Sequence, residues 1–409
     1  MTPIQEAVKK YDRVALLLQG GGALGSYQAG IYEGIHNAGI EINSIYGISI
    51  GALNTAIIAG NPREKRVEAL RGFWKTITQR NYTSDSYNPF REMIGGLNSM
   101  GRSNFLSLYM PALFDNPYLK DQLRVMESRT EAFQSMMEGQ KGFFKPRGFM
   151  PTDTTPNHLS YYLTGMLAET LAQFADIERI NDPDHMHVAV SAVNVRTGNY
   201  AIFRNELEEL TFNHFVASGS LPPAVPAVEI DGEYYWDGGL VSNTPLNDII
   251  QNEKSSSELI FQVDLWDARG FLPETIGGLD ERIKDIQYSS KTRMITDLMG
   301  ERLRYNSLIK ELLALIPDKK GNLNCIKKAE KMSEVGVKNV IQLIYRKHDY
   351  ERGYKDYEFS PSTMKNHWQS GLNDMKHTFR YVDWFNPPTD GEIFKSHDIH
   401  DIRRSFSQC

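Results

Sequence analysis

The chain has 409 residues, of which 41% are hydrophobic, 23% charged and 11% aromatic, a composition typical of a globular protein that can bury a sizeable core. Its formal net charge of −6 argues against nucleic acid or another polyanion as the principal partner. This length allows two or three domains, or one large catalytic domain with additions.

Cysteine usage and hydropathy limit the cellular context. The two cysteines, Cys325 and Cys409, form neither a zinc-binding nor a disulfide pattern, so no metal or other cofactor is expected. A reducing, cytoplasmic compartment fits this usage best. The polar N-terminus lacks an apolar signal segment, and no apolar run approaches the ~18 residues that a spanning helix needs. Any membrane contact is therefore expected to be peripheral.

The first sixty residues predict two strand–helix units. Residues 14–18 are an apolar run that ends at three glycines, and apolar residues then recur at helical spacing over residues 24–35. A second short strand over residues 44–48 is followed at once by a helix over residues 50–57. Strands that alternate with helices in this way indicate a parallel α/β sheet.

The middle of the chain interrupts this alternation and then resumes it. Residues 81–158, rich in Asn, Ser, Gly, Pro and aromatics, are interpreted as an insertion. A strand over residues 187–195 is predicted to pair with residues 199–203. Asp231-Gly232 separates two further short strands and suits a two-residue hairpin turn.

The last third of the chain predicts a different organisation. A buried strand over residues 258–265 is followed by about 140 charge-rich residues with a mostly helical pattern. One late strand, over residues 339–345, interrupts them. We therefore predict a catalytic domain over residues 1–270 and a mostly helical C-terminal region of unknown role over residues 271–409.

The strongest local motif is the GxSxG sequence formed by Gly47, Ser49 and Gly51. It lies at a predicted strand-to-helix junction, where a tight turn holds a serine hydroxyl clear of the sheet and the flanking glycines relieve crowding. The start of a helix also favours negative charge that develops on a bound substrate. Ser49 is therefore a candidate nucleophile.

A glycine-rich loop precedes this motif by one strand and one helix. Residues 20–25 read Gly-Gly-Gly-Ala-Leu-Gly, and their distance from Ser49 predicts two adjacent turns at the carboxyl ends of neighbouring parallel strands. Backbone amides of Gly20, Gly21, Gly22 and Ala23 are thus expected to face the same point as the serine. They are candidate donors for an oxyanion.

The candidate base is Asp237, which ends the predicted hairpin and precedes Gly238 and Gly239. The two glycines let the backbone turn away sharply, so the carboxylate can project into a cleft. An aspartate that acts alone on a serine needs direct contact and strong oxyanion stabilisation. A histidine base would be the other arrangement, and His348 and His367 lie late enough in the chain for it.

The three motifs, in this order, resemble those of the patatin-like phospholipase family over about residues 12–270. The resemblance implies a three-layer α/β fold with a mainly parallel central sheet between helices, and hydrolysis of lipid acyl esters through a Ser-Asp dyad. Ser49 would be the nucleophile and Asp237 the base. The oxyanion hole would be formed by Gly20, Gly21, Gly22, Ala23 and Gly25, with Gly47, Gly51, Gly238 and Gly239 supporting the turns.

The resemblance leaves several points open. Many family members carry Lys or Arg where this chain has Leu24, so a preference for anionic head groups does not transfer directly. Phospholipid, lysolipid and simpler esters all stay open as substrates, as does the oligomeric state. The C-terminal stretch resembles a region of unknown role found after the core in bacterial members.

Two other functions compete with the hydrolase. The first loop also matches the dinucleotide-binding pattern GxGxxG, but Glu41, at about the right spacing to hold a ribose, precedes the second strand instead of ending it. The other alternative is a non-catalytic protein that uses the same fold for binding.

The insertion offers a candidate lipid-contacting surface. It holds seven methionines among aromatics and would form either an adaptable acyl-chain surface or a small packed core. The methionines are Met93, Met100, Met110, Met126, Met136, Met137 and Met150, and the aromatics include Phe143, Phe144 and Phe149. A nearby segment with Lys141, Lys145 and Arg147 mixes cations with aromatics, as membrane-surface segments do.

Overall fold

The computed structural model describes residues 1–79, 117–148, 155–244, 246, 256–270, 272–316, 324–348, 350–389 and 392–399. The methionines at positions 93, 100, 110 and 150 and the aromatic residue Phe149 lie outside the described residues. The other positions named above for the insertion lie within them.

One large sheet organises the described part of the chain. Its strand order is β11-β10-β9-β1-β2-β5-β8-β7, and β6 pairs with the other edge of β5. The strands are β1 Arg13–Leu18, β2 Ser44–Gly47, β5 His187–Asn194, β6 Tyr200–Arg204, β7 Val228–Ile230, β8 Glu233–Asp237, β9 Glu258–Asp264, β10 Lys338–Ile344 and β11 Phe394–Asp398. Two short strands, β3 Lys145–Pro146 and β4 Tyr162–Leu163, form a separate antiparallel pair.

The central six strands, from β11 to β5, are mutually parallel, and β6, β7 and β8 add antiparallel pairs at one side. The middle strands read as continuous apolar runs because both faces of the sheet are covered. All seven residues of β9 are buried, as are five of the six in β1.

Helices cover the sheet on both faces. In chain order they are α1 Pro3–Val8, α2 Gly25–Asn37, α3 Ile50–Ala59, α4 Arg66–Ile77, α5 Pro117–Glu138, α6 Leu167–Phe174, α7 Ile177–Ile180, α8 Phe212–Ser218, α9 Ile276–Ala314, α10 Asn324–Ser333 and α11 Pro361–Thr378. Short 3₁₀ helices span Gly22–Leu24, Arg63–Lys65, Gly238–Leu240 and Val382–Phe385.

The alternation of side chains along β1 sorts the core into two layers. Leu16 and Leu18 pack in the larger core with α2, α3 and α4, whereas Ala15 and Leu17 pack in a smaller core to which α9 contributes Leu303. Successive residues of a strand point to opposite faces, so one apolar strand supplies both cores. The predicted three-layer α/β fold with a mostly parallel central sheet is confirmed.

The first two strand–helix units and the predicted hairpin are present. In the turn between β7 and β8, Asp231 and Gly232 both have positive φ, at 51° and 80°. The late strand is observed as β10, within one residue of its predicted ends.

The sheet also crosses residue 270, the predicted boundary between the two regions. Strand β10 pairs with β9, and β11 adds a further parallel strand beyond it. Strand β11 was not predicted, because its sequence Phe-Lys-Ser-His-Asp has no apolar run and pairs with a neighbour on one side only. The two-domain division itself stays a prediction.

Candidate active site

Ser49 occupies a strained turn between β2 and α3. Its φ of 56° and ψ of −126° lie in a region that residues with a side chain rarely adopt, and such strain often accompanies function. Neither neighbouring glycine has room for a side chain. A Cβ on Gly47 would lie 2.4 Å from the Gly51 carbonyl oxygen, and one on Gly51 would lie 2.2 Å from the Leu18 carbonyl oxygen. The turn therefore has the geometry that GxSxG predicts.

The topology of β5 explains how Asp237 reaches this turn. Strand β6 pairs with residues 189–193 along one edge of β5. Strand β2 pairs with residues 187–190 and β8 with residues 192–194, so both must lie along the opposite edge of β5. On that edge β2 is parallel to β5 and β8 is antiparallel. The carboxyl ends of β2 and β8 consequently face each other, and these ends carry Gly47 and Asp237.

Asp237 is buried and hydrogen-bonded at this meeting point. Its carboxylate accepts a hydrogen bond at 2.7 Å from the Gly239 N–H and lies beside the Ser49 side chain. Burial raises the pKa of Asp237 to about 6, although the Ser49 side chain and the Gly239 N–H both oppose the shift. The carboxylate is thus ionised at neutral pH but more basic than a solvated aspartate.

The glycine loop lies beside the serine turn, because β1 and β2 are adjacent and parallel, with Leu18 opposite Gly47. Distant side chains hold its first residue. Asn243 accepts a hydrogen bond from the Gly20 N–H and donates one to the Gly20 carbonyl, both at 3.1 Å. The Trp266 indole N–H donates to the same carbonyl at 2.8 Å.

The hydrogen bonds narrow the set of oxyanion donors. The N–H of Gly20 is bound to Asn243, that of Ala23 donates to the Asp356 carbonyl at 2.8 Å, and that of Gly25 donates within the turn to Gly22. In this structure the N–H groups of Gly20, Ala23 and Gly25 therefore bind other acceptors, and their part in an oxyanion hole stays a prediction. Gly21 and Gly22 have no acceptor for their N–H groups in the part of the chain that the structure describes.

An apolar cavity of about 350 Å³ opens on these groups. Ser49, Asp237, Gly21 and Gly22 lie on its wall. Its apolar lining includes Leu53, Met136, Phe143, Phe144, Leu221 and Phe359. A few polar groups at one point of an apolar cavity are typical of a site that binds a hydrophobic ligand and reacts at one atom of it.

The insertion contributes to this cavity. Met136, Phe143 and Phe144 line it, whereas Met126 and Met137 are 46% and 63% exposed. Phe143 and Phe144 also pack edge-on against Phe359 from the C-terminal region, with ring centroids 5.3 and 6.1 Å apart. These aromatic residues thus line the cavity and do not form a separate small core.

The segment that contains Lys141, Lys145 and Arg147 also has some side chains at the cavity and others exposed to solvent. Its two phenylalanines face the cavity, and Arg147 donates hydrogen bonds to the backbone carbonyl and hydroxyl of Ser160. Lys141 and Lys145 are exposed. The membrane-surface interpretation of this segment stays a prediction, with two lysines as its exposed cations.

The candidate residues for a histidine base and for dinucleotide binding do not line the cavity. Neither His348 nor His367 lines the cavity: His348 stacks on Tyr350, and His367 is buried behind the glycine loop. Glu41, the candidate ribose ligand, forms ion pairs with Arg63 at 2.7 Å and Arg66 at 3.1 Å. Neither a histidine base nor a dinucleotide gains support from these positions.

Four residues of the site were missed by sequence reasoning. Asn243, Trp266 and Asp356 hold the glycine loop, and the Ser218 hydroxyl accepts a hydrogen bond from the Ser49 N–H at 3.0 Å. Asn243 lies six residues after Asp237 in a loop, but neither it nor the others belongs to a recognisable spacing. Their roles arise from tertiary contacts alone.

Among the residues that the structure describes, no group of three or more His, Cys, Asp or Glu side chains is arranged to hold a metal ion. None of the helices in the described ranges combines the length and apolar character needed to cross a bilayer.

The fold and the site define an α/β protein with a strained serine turn, a buried carboxylate and a glycine loop around one cavity. The family model for patatin-like phospholipase matches residues 16–250, more than half of the chain, and a second model, described as patatin phospholipase, matches residues 286–391. The chain belongs to the patatin-like phospholipase family. Family membership supports a lipid hydrolase function.

Three solved structures show weak similarity. VipD from Legionella pneumophila has 12% identity and a TM-score of 0.37, with 91% of this chain and 67% of that chain covered. ExoU of Pseudomonas aeruginosa, solved with SpcU, has 14% identity and a TM-score of 0.26, with 78% and 67% covered. Human GIVD cytosolic phospholipase A2 has 15% identity and a TM-score of 0.22, with 50% and 24% covered. No curated protein sequence matches the chain.

Proposed function

We propose that this protein hydrolyses carboxylic esters of lipids, with Ser49 as nucleophile and Asp237 as its base. The observation that carries the proposal is that Ser49, in its strained turn, and the buried Asp237 carboxylate lie together at the wall of an apolar cavity. An acyl chain fits the apolar lining, and its ester carbonyl would lie at the few polar groups.

In the first half of the reaction, Ser49 Oγ attacks the ester carbonyl carbon while its proton passes to Asp237. The carbonyl oxygen becomes an oxyanion and accepts hydrogen bonds from the N–H groups of Gly21 and Gly22. Collapse of the tetrahedral intermediate breaks the bond to the alcohol oxygen, which takes the proton from Asp237. An acyl-serine and a free alcohol result.

In the second half, water replaces the alcohol. Asp237 takes a proton from the water as its oxygen attacks the acyl-serine carbonyl, and the same two N–H groups hold the oxyanion. The proton then returns to Ser49 Oγ as the acyl bond breaks, which releases the fatty acid. The elevated pKa of Asp237, about 6, suits a base that must accept and return a proton near neutral pH.

A panel of acyl esters tests this proposal. The panel comprises p-nitrophenyl esters of increasing chain length, a lysophospholipid, a phospholipid and a neutral glycerolipid, assayed with the wild type and with Ser49→Ala and Asp237→Asn. We expect both variants to lose on the order of 10⁴-fold or more in kcat, because the nucleophile and its base act as a unit. Chelation by EDTA should leave turnover unchanged.

Asp231→Asn is the matched control for Asp237→Asn. It makes the same change of charge in the β7–β8 turn, where an asparagine tolerates the positive φ. Full activity of Asp237→Asn alongside loss in a histidine variant would refute the dyad. Failure of a fluorophosphonate probe to label Ser49, together with no ester turnover, would favour the non-catalytic binding function.

The place of action belongs to the same proposal. We propose a cytoplasmic protein that meets its lipid at a membrane surface through peripheral contact, with Lys141 and Lys145 near the cavity aromatics as candidate contacts. Sedimentation with liposomes tests this, using a Lys141→Gln/Lys145→Gln variant beside the wild type. Equal binding of the two proteins would exclude these lysines as the contact.

A further inference from the structure

The peptide groups on both sides of Ala23 in the glycine loop are held by the C-terminal region. The Ala23 N–H donates to the Asp356 carbonyl at 2.8 Å, and His367 Nδ1, on α11, lies 3.3 Å from the Ala23 carbonyl oxygen. Ala23 directly follows Gly21 and Gly22, which line the cavity and carry the proposed oxyanion donors. The position of Ala23 therefore sets where these two donors point.

The hydrogen bonds around His367 determine the charge of its ring. His367 Nε2 lies 2.5 Å from Glu351 Oε1, and Glu351 Oε2 accepts hydrogen bonds from the Tyr345 hydroxyl at 2.7 Å and the His348 N–H at 3.0 Å. A carboxylate that accepts from this many donors is ionised. Both ring nitrogens of His367 then face acceptors, so both must donate, and the ring is an imidazolium.

The electrostatic surroundings agree with this assignment. Both side chains are almost fully buried, at 0% exposure for His367 and 1% for Glu351. Burial alone would lower the pKa of His367, but the Glu351 carboxylate and, more weakly, Glu358 raise it above the ordinary value. Burial would likewise raise the pKa of Glu351, but the His367 cation and three hydrogen bonds lower it.

The titratable groups that face His367 are Glu351 and Tyr345, both in the loop after β10, and Glu358, in the segment before α11. Tyr350, in the same loop, interacts with Glu351. Tyr27, on α2, touches Tyr345 with ring centroids 5.2 Å apart. The loop itself carries Leu24, which is fully buried, and His367 contacts it at the Ala23 carbonyl.

We propose that His367, held as an imidazolium by Glu351, is a positioning residue that fixes the glycine loop in the geometry needed to bind an oxyanion. The proposal rests on the proposed ester hydrolysis. His367 does not touch the cavity and acts through Ala23. Its loss should therefore lower kcat more than it changes KM, because only the transition state needs the two N–H groups in their exact positions.

The pH dependence of the variants separates this role from simple packing. The wild type should lose kcat/KM at alkaline pH, as His367 gives up its proton above its raised pKa. Glu351→Gln removes the group that raises this pKa, so the alkaline loss should move to lower pH. The glutamine side chain in His367→Gln can still donate a hydrogen bond but carries no charge. This variant should lower kcat by roughly 10–10²-fold and abolish this alkaline loss.

His348→Gln is the matched control. His348 belongs to the same cluster, but its side chain bonds to Ser370 and not to the loop. It should keep the wild-type kcat and pH profile. If His367→Gln does not fold, the double variant Glu351→Gln/His367→Gln, which leaves no unpaired buried charge, carries the same expectation. An unshifted alkaline limb in Glu351→Gln, or full kcat in a folded variant without the imidazole, would overturn the proposal.

A spectroscopic measurement keeps this proposal distinct from the proposed function. In the wild type with ¹⁵N-labelled histidine, both ring nitrogens of His367 should show the chemical shifts of a protonated imidazolium at neutral pH. The signal is assigned by its absence in His367→Gln. A neutral ring would refute the proposal whatever the activity, whereas an imidazolium in a protein that hydrolyses no ester would refute the proposed function instead.

Discussion

The serine turn and the glycine loop follow adjacent parallel strands, yet they are held in different ways. Gly47, Gly51 and the start of α3 shape the serine turn from within a few residues of Ser49, and the Ser218 hydroxyl adds one distant contact to the Ser49 N–H. The glycine loop depends on Asn243, Trp266 and His367, which lie 223, 246 and 344 residues away along the chain from the residues they contact. The serine turn is thus shaped mainly by its neighbours in the chain, whereas the glycine loop is held by tertiary structure.

Under the proposed function, this difference separates two chemical tasks. The nucleophile needs a sharp turn, which a short sequence can encode. Oxyanion donors must be placed to within a fraction of an ångström, and a glycine-rich segment has no intrinsic preference for that position. The loop is therefore the part of the site where distant changes should reach catalysis.

Among the variants that test this comparison, the largest expected effect comes from Gly22→Ala. Gly22 has a φ of 57°, and an added Cβ would lie 2.1 Å from the Asp356 carbonyl oxygen, so the loop must move away from the C-terminal segment. We expect kcat to fall on the order of 10²–10³-fold, the effect of losing an oxyanion donor. Steady-state kinetics with a p-nitrophenyl ester measures this.

Gly198→Ala is its control. Gly198 has a similar φ of 69° but nothing within 4 Å of the added Cβ. Both variants should lose about 1–2 kcal/mol of stability from backbone strain alone. Equal kcat values in the two variants would contradict the role given to the loop.

A smaller effect is expected from Asn243→Ala. This variant removes both hydrogen bonds that Asn243 makes with the backbone of Gly20. The loop should loosen without a steric clash, and kcat should fall roughly tenfold. Parallel measurements of kcat and melting temperature distinguish this from global destabilisation.

Asn205→Ala provides the comparison. Asn205 is a similarly buried asparagine that bonds to the backbone of Ile180, Met186 and Val188, away from the cavity. Its loss should lower the melting temperature and leave kcat unchanged. An equal fall of kcat in Asn243→Ala and Asn205→Ala would show that catalysis is no more sensitive to the glycine loop than to a distant part of the core.

The next effect in size is the pH dependence of kcat/KM, which tests the half of the site that contains Ser49 and Asp237. Asp237 must be ionised to accept the serine proton, and its pKa is raised to about 6, so kcat/KM should fall about tenfold for each pH unit below this value. A profile from pH 4.5 to 8, with melting temperatures recorded at each pH, measures it. Constant kcat/KM down to pH 4.5 in a folded protein would contradict the assignment of Asp237.

The smallest effect concerns the cavity lining. Phe144→Leu should raise KM for a long-chain ester about fourfold, the equivalent of one buried methylene group, and leave an acetyl ester unaffected. Phe133→Leu is the control, because Phe133 is 63% exposed. Identical chain-length profiles for these two variants would show that Phe144 does not contact the acyl chain.

Local sequence was sufficient for the elements that surround the serine. Apolar runs bounded by glycines located β1, β2 and their helices, and the Asp-Gly turn located the hairpin that ends at Asp237. These features have short-range causes, since periodic burial and turn conformations are set by residues near one another in the chain. The GxSxG pattern located Ser49 for the same reason.

Tertiary structure decided which groups can use that framework. The sharing of one β5 edge by β2 and β8 brings Asp237 to Ser49, and no spacing in the sequence encodes this sharing. The choice of Gly21 and Gly22 over Gly20, Ala23 and Gly25 as free donors depends on acceptors that other elements supply.

The sequence by itself determined a parallel α/β chain with a strained serine turn, a nearby glycine loop and an aspartate at a hairpin end. Only the tertiary structure decided that Asp356 and His367, from the last sixty residues, hold that loop, and that β11 extends the sheet. The physical reason is the distance along the chain over which each feature is set. Turns and periodic burial arise between neighbouring residues, whereas the hydrogen-bond partners of a flexible loop come from the elements that the packed core places beside it.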